Sequence, residues 1–276
     1  MGHIDELLNY DGRRAVVTGC ASGIGAHVVR QLAELGAHVI GLDKQAPSED
    51  IAEFYTVDLT DPASIDTAVS SIGGQVDALF NIAGVSSGIG DPLLVLTINF
   101  LGLRHGTEAL LEKMPAGSSI VSVSSLAAKE YREHQQVVGG LLNTATMSEG
   151  IEWCHRHPDA LADGGYRLSK EAIILYTMSK TTALGGRGIR INCTGPGVTE
   201  TPILDQLRGA YGQGFLDDIP KPLGRVSGPE EQAAVLVFLN SQAASYISGQ
   251  VLWVDGGNLG AATARELEEG RALWPA

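Results

Sequence analysis

Tyr166 and Lys170 stand four residues apart at the head of a long helical pattern, so a phenol and an ammonium share one helix face and can enter one site. A phenol titrates near 10, and a neighbouring cation favours the phenolate, which makes Tyr166 a candidate general acid or base near neutral pH. A second cluster is Thr18-Gly19-Cys20-Ala21-Ser22-Gly23-Ile24-Gly25, three glycines between an apolar strand and an apolar helix. Glycines there let the backbone turn sharply and approach a diphosphate, while the helix N-terminus adds free N–H groups and a positive dipole end. Asp43 closes the next strand, where a carboxylate accepts hydrogen bonds from the adenosine ribose and repels a 2′-phosphate. That favours NAD, with Lys44 beside it softening the repulsion. Asp58 and Leu59, ending the third strand, offer a bond to the adenine amino group or a turn ahead of Pro62. Ser125 follows Val123-Ser124 at another strand end and can hold a substrate oxygen, and Asn99 is a polar side chain in an apolar helix that can hold a water behind Lys170. Taken singly, each has a plainer reading: a surface helix for Tyr166 and Lys170, an empty turn for the glycines, a solvated cap for Asp43, a turn former for Ser125.

These residues need elements to carry them. Apolar runs predict strands over 14–18, 37–43, 53–57, 76–81, 119–123, 189–193 and 250–254. Helical patterns lie at 23–35, 62–71, 93–111, 166–184 and 229–239. Alternation of this kind, with strands apolar on both faces, predicts an α/β fold: a doubly wound parallel sheet of about seven strands with helices on both sides. Ligands then bind at the carboxyl ends of the strands, where the glycine turn, Asp43 and Ser125 all fall. Two segments break the rhythm. Residues 129–165 are long and polar with His134, His155 and His157, and residues 199–225 mix Gly and Pro with Ile203, Leu204, Leu207, Tyr211, Phe215 and Leu216. The first reads as an insertion and the second as an apolar substrate lid, or as a surface between subunits. Residues 259–276 read as a charged terminal helix ending near Trp274, and the whole chain of 276 residues as one domain.

Composition narrows the function. The chain carries 19 basic and 32 acidic residues, a net charge of −13, which argues against a nucleic-acid partner. No apolar run approaches the ~18 residues that a membrane span requires. Three cysteines, Cys20, Cys154 and Cys193, have no metal-like spacing, His155 and His157 lack a third ligand, and no secretory leader is evident, so we expect a cytoplasmic protein without a metal.

Together these residues resemble the short-chain dehydrogenase/reductase family along nearly the whole chain. Residues 18–25 match its TGxxxGxG turn, Asn81-Ile82-Ala83-Gly84 its NNAG element with Ile in place of the second Asn, and Tyr166 to Lys170 its YxxxK. The resemblance implies a catalytic tetrad of Asn99, Ser125, Tyr166 and Lys170. It also implies that Gly19, Ser22, Gly23, Ile24 and Gly25 hold the diphosphate, and that Asn81, Ala83 and Gly84 border the cofactor beside Asp43, Asp58 and Leu59. Tyr166 and Lys170 contact the nicotinamide end, with Pro196, Gly197, Thr199 and Thr201 near its carboxamide. Aligning Val123-Ser124-Ser125 leaves Ser124 as the alternative to Ser125. The stretch between Ser125 and Tyr166 exceeds the family's usual spacing by residues 129–165. That insertion, with Gly19-Cys20-Ala21 and Thr199-Glu200-Thr201-Pro202, resembles the bacterial 3α-hydroxysteroid dehydrogenase/carbonyl reductases.

The implied activity is hydride transfer between NAD and a hydrophobic secondary alcohol or ketone of hydroxysteroid, terpenoid or aryl type, in a homodimer or homotetramer joined through helices 93–111 and 166–184. An NAD-binding regulator without useful chemistry is the competing reading; a sugar epimerase or dehydratase would keep Tyr and Lys but need a larger C-terminal substrate domain than this sequence shows.

Overall fold

The computed structural model describes residues 2–270. Seven parallel strands form one sheet in the order β3-β2-β1-β4-β5-β6-β7: β1 (Arg14–Thr18), β2 (His38–Asp43), β3 (Glu53–Thr56), β4 (Ala78–Asn81), β5 (Ser119–Val123), β6 (Arg190–Pro196) and β7 (Val251–Val254). All seven expected strands are present. Among the described residues eleven α-helices accompany them: α1 (His3–Leu8), α2 (Gly23–Glu34), α3 (Pro62–Ser71), α4 (Pro92–Leu96), α5 (Leu103–Leu110), α6 (Gln135–Leu142), α7 (Met147–Arg156), α8 (Tyr166–Gly185), α9 (Pro202–Asp217), α10 (Pro229–Asn240) and α11 (Asn258–Glu268). No helix among the described residues is long and apolar enough to cross a membrane.

The strands are buried because both faces of the sheet are covered, and successive side chains serve opposite faces. Ala15, Val17, Val39, Phe80 and Val121 pack with Val28, Leu32 and Leu236 of α2 and α10. Val16, Ile40, Leu79, Ile120 and Ile191 pack with Phe100, Leu168, Ala172 and Ile173 on the other side. Register brings Thr18 beside both Leu42 and Asn81, so the ends of β1, β2 and β4 open onto one crevice where the strand order reverses.

Three departures from the expected elements bear on the site. The predicted helix over 93–111 is interrupted by a wide π turn, Thr97–Gly102, between α4 and α5. The polar insertion is not irregular but contains α6 and α7, whose Val138, Leu141, Met147, Trp153 and Cys154 join the core. Thr146 caps α7 by accepting from the Glu149 amide at 3.1 Å, and the buried Arg104 of α5 donates to the Thr144 and Thr146 carbonyls at 2.7 and 3.1 Å. Since α6 packs on α8 and α7 on the wide turn, the chain itself covers part of both helices to which the resemblance assigned a subunit contact. The segment read as a lid holds α9, broken at Gly212, where φ of 82° takes the chain out of the helix. Trp274 lies outside the described residues.

Cys20, Cys154 and Cys193 are free and buried, and burial pushes their thiols up to about 12, 11 and 12.

Candidate active site

The glycine turn is shaped by near-contacts that exclude side chains. A Cβ on Gly25 would lie 1.9 Å from the Gly19 carbonyl oxygen, and one on Gly19 would lie 2.7 Å from the Ala83 Cα. The first turn of α2 therefore sits directly over the end of β1, and its first amides have no intrahelical acceptor. Asp43 fixes the loop from the side, its Oδ2 accepting from the Ala21 amide at 3.0 Å and its Oδ1 from the Gln45 amide at 3.2 Å. Thr18 accepts from the Ile82 and Ala83 amides at 3.0 and 3.2 Å, tying the loop after β4 to β1.

Tyr166 opens α8 behind two glycines in the left-handed region, Gly164 and Gly165, and a Cβ on Gly165 would meet the Pro92 carbonyl at 2.2 Å. This tight approach sets where the phenol emerges. Lys170 lies one turn on, its Nζ 5.5 Å from the Tyr166 ring centroid and donating to the Val123 carbonyl at 3.0 Å. Burial pulls the ammonium down to about 8. Burial also pushes the Tyr166 phenol above its ordinary value, and the adjacent Ser125 hydroxyl draws it partly back. The depression expected from Lys170 is thus not a property of the protein alone, because a cation that is itself desolvated and turned to a carbonyl does not offset the phenol's own burial. The two serines divide cleanly: Ser124 is buried and donates to the Lys170 carbonyl at 2.7 Å, whereas Ser125 faces the phenol and accepts from the Ala127 amide at 3.2 Å.

Asn99 is fully buried in the wide turn. Its Oδ1 accepts from the Val85 amide at 2.8 Å, and its Nδ2 donates to the Val85 carbonyl at 2.9 Å and to Ser169 Oγ at 3.3 Å. It meets Lys170 across Gly84, where an added Cβ would lie 3.1 Å from Asn99 Oδ1 and 3.5 Å from Lys170 Nζ.

One cavity of about 990 Å³ joins these parts, at the upper end of the size range of ligand sites. Gly19, Ser22, Gly23, Ile24, Gly25, Asp43, Leu59, Ala83 and Gly84 line one end, and Ser125, Tyr166, Lys170, Pro196, Gly197, Thr199 and Thr201 line the middle. Three expected residues stand apart from its wall. Asn99 is bonded to Val85 as described, and Asn81 donates to Thr107 and Ser122 between β4, β5 and α5. The Asp58 carboxylate accepts from the Thr60 amide and pairs with Lys44 at 2.9 Å; burial opposes its charge, but these partners hold it down at about 2. Five of the six lid residues line the far end, while Tyr211 turns away and donates to Ser87 Oγ at 3.1 Å. Sequence reasoning missed Ser87, Gln206, Lys129, Asp163 and Arg167, which also line the cavity. Gln206 was within reach: it stands three residues after Ile203, on the same helix face.

A doubly wound sheet whose switch-point crevice holds a glycine turn, a strand-end carboxylate and a half-buried Tyr beside a buried Lys defines a dinucleotide-binding class of protein. The short chain dehydrogenase model matches residues 13–139, and the model described as enoyl-(acyl carrier protein) reductase matches residues 159–258. The coniferyl-alcohol dehydrogenase of Pseudomonas sp. (strain HR199 / DSM 7063) is 37% identical over 246 residues, 89% of this chain and 96% of that protein. The 3-alpha-hydroxysteroid dehydrogenase/carbonyl reductase of Comamonas testosteroni is 29% identical over 88% of this chain and 95% of its own length. Among solved structures, the 3-alpha-hydroxysteroid dehydrogenase from Pseudomonas sp. B-0831 complexed with NADH superposes with a TM-score of 0.77 at 31% identity, covering 94% of this chain and all of that one. A short chain dehydrogenase from Burkholderia cenocepacia J2315 in complex with NADP gives 0.68 at 25% identity, covering 91% and 99%. The chain belongs to the short-chain dehydrogenase/reductase family. It is an oxidoreductase of alcohols and ketones with a nicotinamide cofactor site.

Proposed function

We propose that this protein is an NAD-linked dehydrogenase that interconverts a hydrophobic, ring-bearing secondary alcohol and its ketone. The observation that carries the reading is the single cavity that runs from the glycine turn and Asp43, past Ser125, Tyr166 and Lys170, to the apolar face of the lid. The cofactor fits this wall: a backbone cradle kept open by glycines meets a diphosphate, and a carboxylate meets a ribose. When bound, the nicotinamide supplies the hydride acceptor or donor.

Tyr166 removes the carbinol proton during oxidation and returns it during reduction, while Ser125 donates to the same oxygen and fixes it beside the phenol. With the cofactor bound, Lys170 would hold the nicotinamide ribose, and its ammonium together with the cofactor's positive charge would lower the phenol that burial alone holds high. Asn99 holds Val85 and so keeps Gly84 against Lys170, a positioning role for the ammonium. Asp43 favours NAD over NADP, because Lys44, the nearby cation that would meet a 2′-phosphate, is paired with Asp58.

Ile203, Leu204, Leu207, Phe215 and Leu216 favour an apolar substrate of hydroxysteroid, terpenoid or aryl type, and the 37% identical coniferyl-alcohol dehydrogenase draws the range towards aryl alcohols, including primary ones. The three free cysteines fit a reducing cytoplasm, and the family resemblance a homodimer or homotetramer. The test is a panel of steroid, terpenoid and aryl alcohols, each with NAD and with NADP, followed at the absorbance of the reduced cofactor. Tyr166→Phe should lower kcat at least about a hundredfold while NAD affinity persists. Turnover retained in Tyr166→Phe removes the phenol from its role. Silence of the parent protein across the panel together with tight NAD binding favours the regulator reading, and NADP preference overturns the part assigned to Asp43.

A further inference from the structure

The apolar lid carries one polar position whose orientation the structure fixes. Gln206 lines the cavity from α9, and its Oε1 lies 3.0 Å from Ser86 Oγ and 3.4 Å from the Ser86 amide nitrogen. Ser86 is fully buried, and a backbone N–H can only donate, so the amide group must turn its oxygen to Ser86 and its NH₂ away from it. The Nε2 protons have no partner among the described residues. A second hydroxyl beside it is similarly committed. Ser87 also lines the cavity, and its Oγ accepts from the Tyr211 hydroxyl at 3.1 Å, which leaves the Ser87 proton free to be given. The two elements are held in register by close backbone approach, since a Cβ on Gly88 would lie 2.7 Å from the Gln206 carbonyl oxygen.

We propose that the Gln206 amide NH₂, with the Ser87 hydroxyl beside it, forms a donor subsite that binds a second substrate oxygen, an ether or phenolic oxygen on the ring, and that Gln206 determines specificity for ring-oxygenated aryl alcohols. The inference rests on the dehydrogenase reading above and adds the second functional group that its substrate carries. Apolar walls alone give little discrimination between an aryl alcohol and its oxygenated analogue; Gln206 is exposed in the open cleft, so its oriented donor discriminates once a bound substrate excludes water from it, rewarding the acceptor and left unpaired by the analogue that lacks it. Because one end of Gln206 is held by Ser86 and only the other is available, the substrate group must be an acceptor.

The experiment compares cinnamyl alcohol with its 2-, 3- and 4-methoxy derivatives, using kcat/KM with NAD and with NADP for the parent protein, Gln206→Leu and Gln206→Glu. The ratio between substrates within each protein is the readout, so a general loss of activity cancels. We expect the parent to favour at least one methoxy isomer about tenfold or more, the worth of one hydrogen bond in a partly open site. Gln206→Leu brings that ratio close to one. Gln206→Glu does the same, although its carboxylate still accepts from Ser86 and so keeps the lid's anchor. If Gln206 only anchors the lid, the Glu variant retains the preference, and that result overturns the inference, as does a parent that does not discriminate. A parent that oxidises no alcohol of this set with either cofactor, yet turns over other apolar ring alcohols, overturns the aryl subsite alone; silence on every alcohol overturns the dehydrogenase reading with it.

Discussion

Lys170 is where chemistry and stability oppose one another. The residue is 4% exposed, its ammonium has the Val123 carbonyl as hydrogen-bond acceptor, and burial moves it from 10.5 to about 8. A cation whose folded pKa lies below its unfolded value costs stability while it is charged: the full cost applies below pH 8, it fades between 8 and 10.5, and it is gone above. A shift of this size corresponds to roughly 3 kcal/mol. We expect Lys170→Met without cofactor to unfold at higher urea than the parent at pH 7, and the difference to shrink as pH approaches 10.5. The difference must be used, because burial raises the cysteines and Tyr10, and their contributions run the other way in alkali. A gap that stays constant from pH 7 to 10.5 refutes the assignment of the shift to Lys170. At this scale the sequence shows Tyr166, Lys170, Ser125 and Asp43, since spacing and strand ends place them. It does not show that Asn81 and Asp58 turn to protein partners, because those partners, Thr107 and Lys44, reach them through tertiary packing or side-chain choice.

The contact of α2 with β1 depends on the absence of a single methyl group. A Cβ on Gly25 would lie 1.9 Å from the Gly19 oxygen and 2.7 Å from its carbon, both backbone atoms that cannot rotate aside. Gly25→Ala must therefore lift the helix from the strand and deform the cradle, at a cost of about 1–3 kcal/mol. We expect NADH affinity, measured by fluorescence titration, to fall about tenfold or more. Gly209→Ala in α9, where an added Cβ meets nothing within 4 Å, serves as the control and should leave it within about twofold. Equal affinity in both variants would show that the cradle tolerates the displacement. Helix α2 was legible because its apolar positions repeat over three turns. The wide turn at 97–102 was not, since its sequence reads as uninterrupted helix and the bulge arises where Gly102 comes within 2.1 Å, for an added Cβ, of the Leu59 carbonyl. Helices α6 and α7 were hidden by their shortness, although Thr146 followed three residues later by Glu149 is a readable capping signal.

At the scale of the molecule, the sheet could be read from the alternation of apolar strands with helices, and the crevice from the rule that ligands gather where strand order reverses. The closing of the far end by α9 could not, because nothing local states how a segment with a break at Gly212 will lie across the strand ends. The three buried thiols divide this architecture into regions: Cys20 belongs to the cofactor turn, Cys154 to the insertion and Cys193 to a strand flanked on both sides. High thiol pKa and burial protect all three from alkylation while the native state persists. Iodoacetamide at pH 8 under mild urea should modify Cys154 first and Cys193 last, read peptide by peptide in a mass spectrometer, since a peripheral two-helix unit opens at lower free energy than a central strand. Identical rates at the three positions would mean that the chain opens only as a whole. The protein thus carries its own native footprinting reagents, one per region, without a single engineered label.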